Sequence, residues 1–153
     1  MKNQLFDLTK KVSLITGGNG GIGLGMAKGL ASCGSDIAII GRNINKNSKA
    51  KEELSEFDVR VETYSIDVSN EEDVKKAVLN VVNDFGRIDA VFANAGMNLY
   101  GGSFEDMDTD VYRKVLAVNL DGVFFTLREV CKHMVERAKK GDPGGSVVGV
   151  ASL

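Results

Sequence analysis

The residues with the plainest chemical purpose lie near the start of the chain, in Thr16-Gly17-Gly18-Asn19-Gly20-Gly21-Ile22-Gly23, which follows a short apolar run and opens a stretch of helical period. Between a strand and a helix, such a turn turns bare backbone N–H groups and the positive end of a helix dipole toward a diphosphate. The chemistry calls for missing Cβ atoms rather than for a functional group. A side chain at these positions holds the backbone away from the phosphates or pushes the helix off the strand. Two registers fit. Gly18, Gly20 and Gly23 match the generic dinucleotide spacing, and Thr16, Gly17, Gly21 and Gly23 match Thr-Gly-x-x-x-Gly-x-Gly.

A dinucleotide site selects its cofactor about 20 residues past the glycine turn, where an NAD site needs a carboxylate for the adenosine ribose hydroxyls. Here that place reads Gly41-Arg42-Asn43. A guanidinium offers paired, coplanar donors to a phosphate, so Arg42 with Asn43 suits the extra 2′-phosphate of NADP, and no acid stands there to repel it. NADP is therefore expected, with NAD the alternative. The nearest carboxylate, Asp36, sits at the start of the second strand, the wrong end for the ribose.

Other side chains are read more plainly. His133, the only histidine, lies among Lys132, Glu136 and Arg137 on a helical stretch and is expected on a solvated face, without metal-ligand spacing. Cys33 and Cys131 are isolated and read as buried thiols rather than as a disulfide or a zinc pair. No metal site is expected. With 19 Lys and Arg against 21 Asp and Glu, the chain lacks the basic field that nucleic acid or an anionic membrane surface requires. Neither partner is expected. No apolar run nears the ~18 residues of a membrane span, nor does an apolar stretch follow the charged N-terminus, so a cytoplasmic location is the expectation.

The elements that must position the glycine turn follow from the hydrophobic pattern. Short β-like runs at Val12 to Thr16, Asp36 to Ile40, Val59 to Ile66, Ile88 to Ala93 and Ser146 to Ala151 alternate with helical stretches. One helix is expected to begin at Ser69, where Ser69 and Glu72 have capping-box spacing and Val74, Val78, Val81 and Phe85 form a stripe. A longer one runs from about Thr109 to Ala138, capped by Asp108, with Val111, Val115, Val118, Phe124, Leu127 and Met134 at helical spacing. Short strands covered on both faces, joined by right-handed crossovers, make an α/β fold: a doubly wound parallel sheet in three αβα layers, strand order 3-2-1-4-5, the Rossmann arrangement. With one proline, Pro143, and no repeat or linker, residues 1–153 read as one dinucleotide-binding domain.

The second glycine register, with four further stretches, resembles the short-chain dehydrogenase/reductase family. Asp67-Val68 follows the third strand, Asn94-Ala95-Gly96 the fourth, Asn119 falls inside the long helix, and Ser152 follows the fifth strand. Where the family often has Asn-Asn-Ala-Gly, Ala93 takes the first position. The resemblance implies an NAD(P)-dependent oxidoreductase that moves a hydride between the nicotinamide and a carbonyl or alcohol substrate. It further implies that Asp67, with the Val68 backbone, meets the adenine; that Asn94, Ala95 and Gly96 line the nicotinamide-ribose side; that Asn119 breaks the helix and holds a water; and that Ser152 is the catalytic serine, donating to the substrate oxygen. Asn98, Tyr100 and Ser103 would face the substrate. Family members assemble as homodimers or homotetramers through the long helix and its downstream neighbour, which is the expectation for the full-length protein.

One feature of the family is missing. Its proton-transferring Tyr-x-x-x-Lys follows shortly after the serine, whereas Tyr64, Tyr100 and Tyr112 are followed four positions on by Val68, Phe104 and Leu116. The chain is thus expected to be truncated on its C-terminal side and, alone, inactive. A non-catalytic NADP-binding sensor or interaction module of the same fold is the alternative; a nucleotide-sugar epimerase is disfavoured by the glycine spacing.

Overall fold

In the structure, a computed structural model, residues 6–98, 103–142 and 144–151 are described. The elements run β1 (Val12–Thr16), α1 (Gly21–Ser32), β2 (Asp36–Ile40), α2 (Ile44–Leu54), β3 (Val61–Tyr64), α3 (Glu71–Phe85), β4 (Ala90–Ala93), α4 (Thr109–Leu116), α5 (Gly122–Lys139) and β5 (Ser146–Gly149). A short 3-10 turn, Phe104–Asp106, precedes α4, and a π-helical turn, Ala117–Asp121, joins α4 to α5. The strands form one parallel sheet in the order β3-β2-β1-β4-β5, with Val12 opposite Asp36 and Ser13 opposite Ala90. This is the expected doubly wound order.

Strand β2 shows why the sheet takes three layers. Ile37 and Ile39 join Ala27 and Ala31 of α1 and Ala50 and Leu54 of α2 in one buried cluster. Their neighbours Ala38 and Ile40 join Val74, Val78 and Val81 of α3 and Val130 and Met134 of α5 in another. With side chains alternating across the strand, a run that is apolar at successive positions can be satisfied only by helices on both faces. Each fully buried Ile or Leu contributes about 1.5–3 kcal/mol.

Three expectations about the helices need correction. Helix α3 begins at Glu71, and its cap is Asn70, whose side chain accepts from the Asp73 N–H at 3.1 Å. Ser69 does not cap it, because its N–H and hydroxyl both donate to Asp67 Oδ1, at 3.0 and 2.8 Å. The long helix is two helices. Asp108 does cap α4, accepting from the Asp110 N–H, but the π-helical turn shifts the phase of α5, so Val118 and Met134 are buried whereas Phe124 is 55% exposed. Three strands are shorter than expected: β3 starts at Val61, β4 at Ala90, and β5 ends at Gly149.

The end of the sheet opposite the glycine turn is held by an ionic knot. Asp89, only 9% exposed, accepts from the Val12 N–H at 3.0 Å, from Arg87 at 2.6 and 2.7 Å and from Arg137 at 3.1 Å. Arg137 also donates to the Ile88 carbonyl at 2.6 Å and to Asp142 at 3.0 Å, tying the end of α5 to β4. Burial raises the Asp89 pKa, but the hydrogen bonds from Arg87 and Val12 and the charges of Arg87 and Arg137 outweigh it and hold the carboxyl at about 2. His133 belongs to this knot rather than to a solvated face: half-buried, its Nε2 accepts from the Ile88 N–H at 3.3 Å, and burial followed by Arg137 pushes its pKa down. Cys33 and Cys131 are free and half-buried rather than fully buried. No helix among the described residues is long and apolar enough to cross a membrane.

Candidate functional site

The carboxyl ends of β1, β2 and β4 meet at a cavity of about 480 Å³. It lies where the strand order reverses between β1 and β4, the usual ligand crevice of an open parallel sheet. Gly17, Asn19, Gly20, Gly21, Ile22 and Gly23 form one wall. Arg42, Asn43 and Lys46 stand at the β2 end, Ile66 and Val68 at the β3 end, and Asn94, Ala95 and Gly96 after β4.

The glycine turn is shaped by what lies behind it. Gly17 has φ +66°, a left-handed conformation that side chains resist, and a Cβ there would sit 3.0 Å from Ala95 Cα. A Cβ on Gly23 would sit 2.6 Å from Asn94 Nδ2 and collide with the Gly17 carbonyl. The backbone of the turn is therefore pressed against the segment after β4. Thr16 supplies the brace: its buried hydroxyl accepts from the Asn94 and Ala95 N–H groups at 3.0 and 2.9 Å, while Asn94 Nδ2 donates to the Thr16 carbonyl at 3.0 Å. Thr16 thus lies behind the wall, and part of Asn94 is spent in holding it.

The wall suits an anion. Helix α1 starts at Gly21 with no side-chain cap and no acid in its first turn, so its terminal N–H groups open on the cavity. Ile22, 70% exposed at the same lip, offers an apolar surface beside them. At the other end Arg42 contributes an exposed guanidinium, and Asn43 caps α2 by accepting from the Lys46 N–H at 2.9 Å. Lys46 escaped the sequence reading. Its signal was its place three residues after a capping Asn, which puts its side chain beside the cavity in the first turn of α2.

Asp67 is not part of the cavity lining, although its neighbours Ile66 and Val68 are. Oδ1 accepts from Ser69, and Oδ2 faces Arg42 Nη1 at 3.4 Å. Burial pushes its pKa up, but Ser69 and Arg42 more than reverse this and keep the carboxyl below its ordinary range. Asn119 lies in the π-helical turn and clasps the Met97 backbone, accepting from its N–H at 2.8 Å and donating to its carbonyl at 3.0 Å. It thereby fixes the segment that continues from Gly96. Ser103 donates to Asp106 at 3.0 Å, and Asn98 is exposed. Ser152 and Tyr100 lie outside the described residues.

A doubly wound parallel sheet with a glycine-lined, acid-free helix terminus at its switch point is the architecture of a dinucleotide-binding α/β domain. The chain matches the family model of the short chain dehydrogenases over residues 11–153. It is 34% identical over 151 residues to a sorbose reductase of Schizosaccharomyces pombe, which covers 97% of this chain and 57% of that protein. To an NADP-dependent mannitol dehydrogenase of Hypocrea jecorina it is 36% identical over 153 residues, or 97% and 55% of the two chains. Its backbone follows the crystal structure of an NAD+-bound xylitol dehydrogenase with a TM-score of 0.89 at 36% identity, covering 95% of this chain and 54% of that one. The chain belongs to the short chain dehydrogenase family, and it spans a little over half the length of these curated relatives.

Proposed function

We propose that this chain is the cofactor-binding part of an NADP-dependent oxidoreductase that interconverts a carbonyl and an alcohol. One observation carries the reading: the uncapped, acid-free start of α1 opens on a cavity whose far end holds Arg42 and Lys46. The N–H groups of the turn from Gly17 to Gly23 would receive the pyrophosphate, with Asn19 and Ile22 beside it. Arg42 and Asn43 would take the 2′-phosphate, Asp67 and Val68 the adenine, and Asn94, Ala95 and Gly96 the nicotinamide ribose, while Thr16 braces the turn. When bound, the nicotinamide supplies or accepts a hydride at the substrate carbon. Ser152 would donate a hydrogen bond to the substrate oxygen as negative charge gathers there. Asn119 would hold the chain after Gly96 in place and position a water. Two of the relatives are named for sorbose and mannitol, which makes a ketose and its polyol the first pair to assay.

The 153 residues contain no Tyr-x-x-x-Lys, so by themselves they are expected to bind cofactor without turning substrate over. Assembly into homodimers or homotetramers would use α4, α5 and the π-helical turn between them, where Tyr112, Leu120, Phe124 and Val135 are exposed. A fluorescence titration with NADPH and NADH tests the cofactor assignment: at least tenfold tighter NADPH is expected, and equal affinities would overturn it. A second reading is a non-catalytic NADP-binding sensor or interaction module of the same fold. Sequencing the gene past the Leu153 codon separates the two, since a Tyr-x-x-x-Lys shortly downstream supports the enzyme and a stop codon supports the module.

A further inference from the structure

Asn47 lies on the buried stripe of α2 with Ala50 and Leu54, and it is only 2% exposed. An apolar side chain in that stripe would pack without losing hydrogen bonds to water, whereas a buried amide needs partners for each of its polar atoms. Asn47 has them. Its Nδ2 donates to the Gly41 carbonyl at 2.9 Å and to Ser65 Oγ at 3.0 Å, and its Oδ1 accepts from Asn19 Nδ2 at 2.6 Å. The partners come from three separate segments: the glycine turn, the residue before Arg42, and the residue after β3.

The orientation of both amides follows from one backbone group. A carbonyl oxygen only accepts, so the atom of Asn47 facing Gly41 is its NH2 group. The other atom is then Oδ1, which also only accepts, so Asn19 must present its own NH2 group to it. Outside that bond Asn19, on the cavity wall, retains an acceptor, Oδ1, and one N–H. Gly41 makes room for the arrangement, since a Cβ there would come within 2.8 Å of Asn47 Oδ1 and overlap Asn19 Nδ2.

We propose that Asn47 is a positioning residue for the adenosine end of the cavity. By holding Asn19 through its NH2 group, Asn47 leaves Oδ1 of Asn19 as an acceptor for a ribose hydroxyl, which NAD and NADP share. The inference rests on the dinucleotide reading above and extends it: Arg42 discriminates between the cofactors, whereas the Asn47 and Asn19 pair serves both.

The test is a cycle of Asn19→Ala, Asn47→Leu and the double variant, each titrated with NADPH and with NADH, with melting temperature recorded alongside. Each single substitution is expected to weaken both cofactors about tenfold, the loss of one well-formed hydrogen bond. Because Asn47 acts through Asn19, the double variant should be within about twofold of Asn47→Leu rather than about a hundredfold weaker than the unsubstituted protein. An Asn47→Leu protein that melts earlier but binds both cofactors normally would show a purely structural role and overturn the proposal, as would multiplying effects in the double variant. Should Asn47→Leu fail to fold, half-buried Asn19→Ala decides: unchanged affinity overturns the proposal, and parallel loss for NADPH and NADH supports it. Failure of the unsubstituted protein to bind either dinucleotide would instead overturn the reading of the cavity, and this inference with it.

Discussion

Arg42 Nη1, from a residue lining the cavity, stands 3.4 Å from Asp67 Oδ2, joining the segment after β2 to the segment after β3. Both side chains are well exposed, at 59% and 37%, so the pair is worth about 0–1 kcal/mol and holds Arg42 only loosely. A phosphate can draw the guanidinium away at little cost. Arg42→Ala is therefore expected to weaken NADPH about 10- to 100-fold, the loss of one or two charge-assisted hydrogen bonds, and NADH less than about twofold. Isothermal titration with both cofactors checks the split; equal losses would remove the case for a phosphate at this position.

Gly23→Ala tests the turn itself. The added carbon would press on Asn94 Nδ2 and on the Gly17 carbonyl, so either the start of α1 or the segment after β4 must move. A loss of about 1–3 kcal/mol in stability is expected from the overpacking, together with loss of dinucleotide binding beyond about a hundredfold. Thermal melts and cofactor titration report the two effects separately. Retained tight binding would mean that the turn does not meet the pyrophosphate.

The start of α3 offers a direct comparison of neighbouring residues. Asn70→Ala removes the cap and should cost about 1 kcal/mol, as measured by denaturant unfolding. Ser69→Ala keeps the cap but strips the hydroxyl from Asp67, leaving one fewer donor on that carboxylate. Its effect should appear in the Asp67 titration, moved toward ordinary carboxylate values, more than in helix stability.

Acid should act in two stages on the knot around Asp89. The folded pKa of His133 is depressed below its ordinary 6.5, so between these values the unfolded chain binds a proton that the folded chain does not. The stability associated with neutral His133 is complete above 6.5 and is lost as pH falls through the lower folded value. For Asp89 the ordinary value of 3.8 drops to about 2, so its contribution, on the order of 2 kcal/mol, is present above 3.8 and lost as pH falls through about 2. Melting temperature against pH should show both declines. His133→Leu should abolish the upper one, and Asp89→Asn should cost about 1–3 kcal/mol at neutral pH by taking from buried Arg137 one of its two carboxylate partners and leaving it Asp142 alone.

Much of this was legible from residue pattern. The order of β1 to β5 follows from short apolar runs that need covering on both faces, and the glycine turn was visible because a Cβ is strained at Gly17 and collides with backbone at Gly23. What escaped depended on partners distant in sequence. Ser69 has the spacing of a capping residue, yet Asp67 captures its hydroxyl and Asn70 takes the role. His133 resembles a surface residue on its own helix, and only the approach of Ile88, 45 residues away, shows otherwise. Asn47 is polar in an apolar stripe, a local inconsistency whose cause appears only when Asn19, Gly41 and Ser65 converge on it.

The π-helical turn from Ala117 to Asp121 makes the residue count of that segment a constraint in its own right. An α-helix advances about 100° per residue and a π-helical turn already takes up one residue more than an α-helical one, so a further residue inserted there would swing everything downstream around its axis by roughly that angle. Thr126, Val130, Met134 and Arg137 would leave the sheet together, and Asp89 would lose a cation more than forty residues away in sequence. A single-codon insertion in this stretch should thus be far more damaging than most substitutions within it, although the outward-facing side chains it carries, such as Leu120, contribute little to the interior.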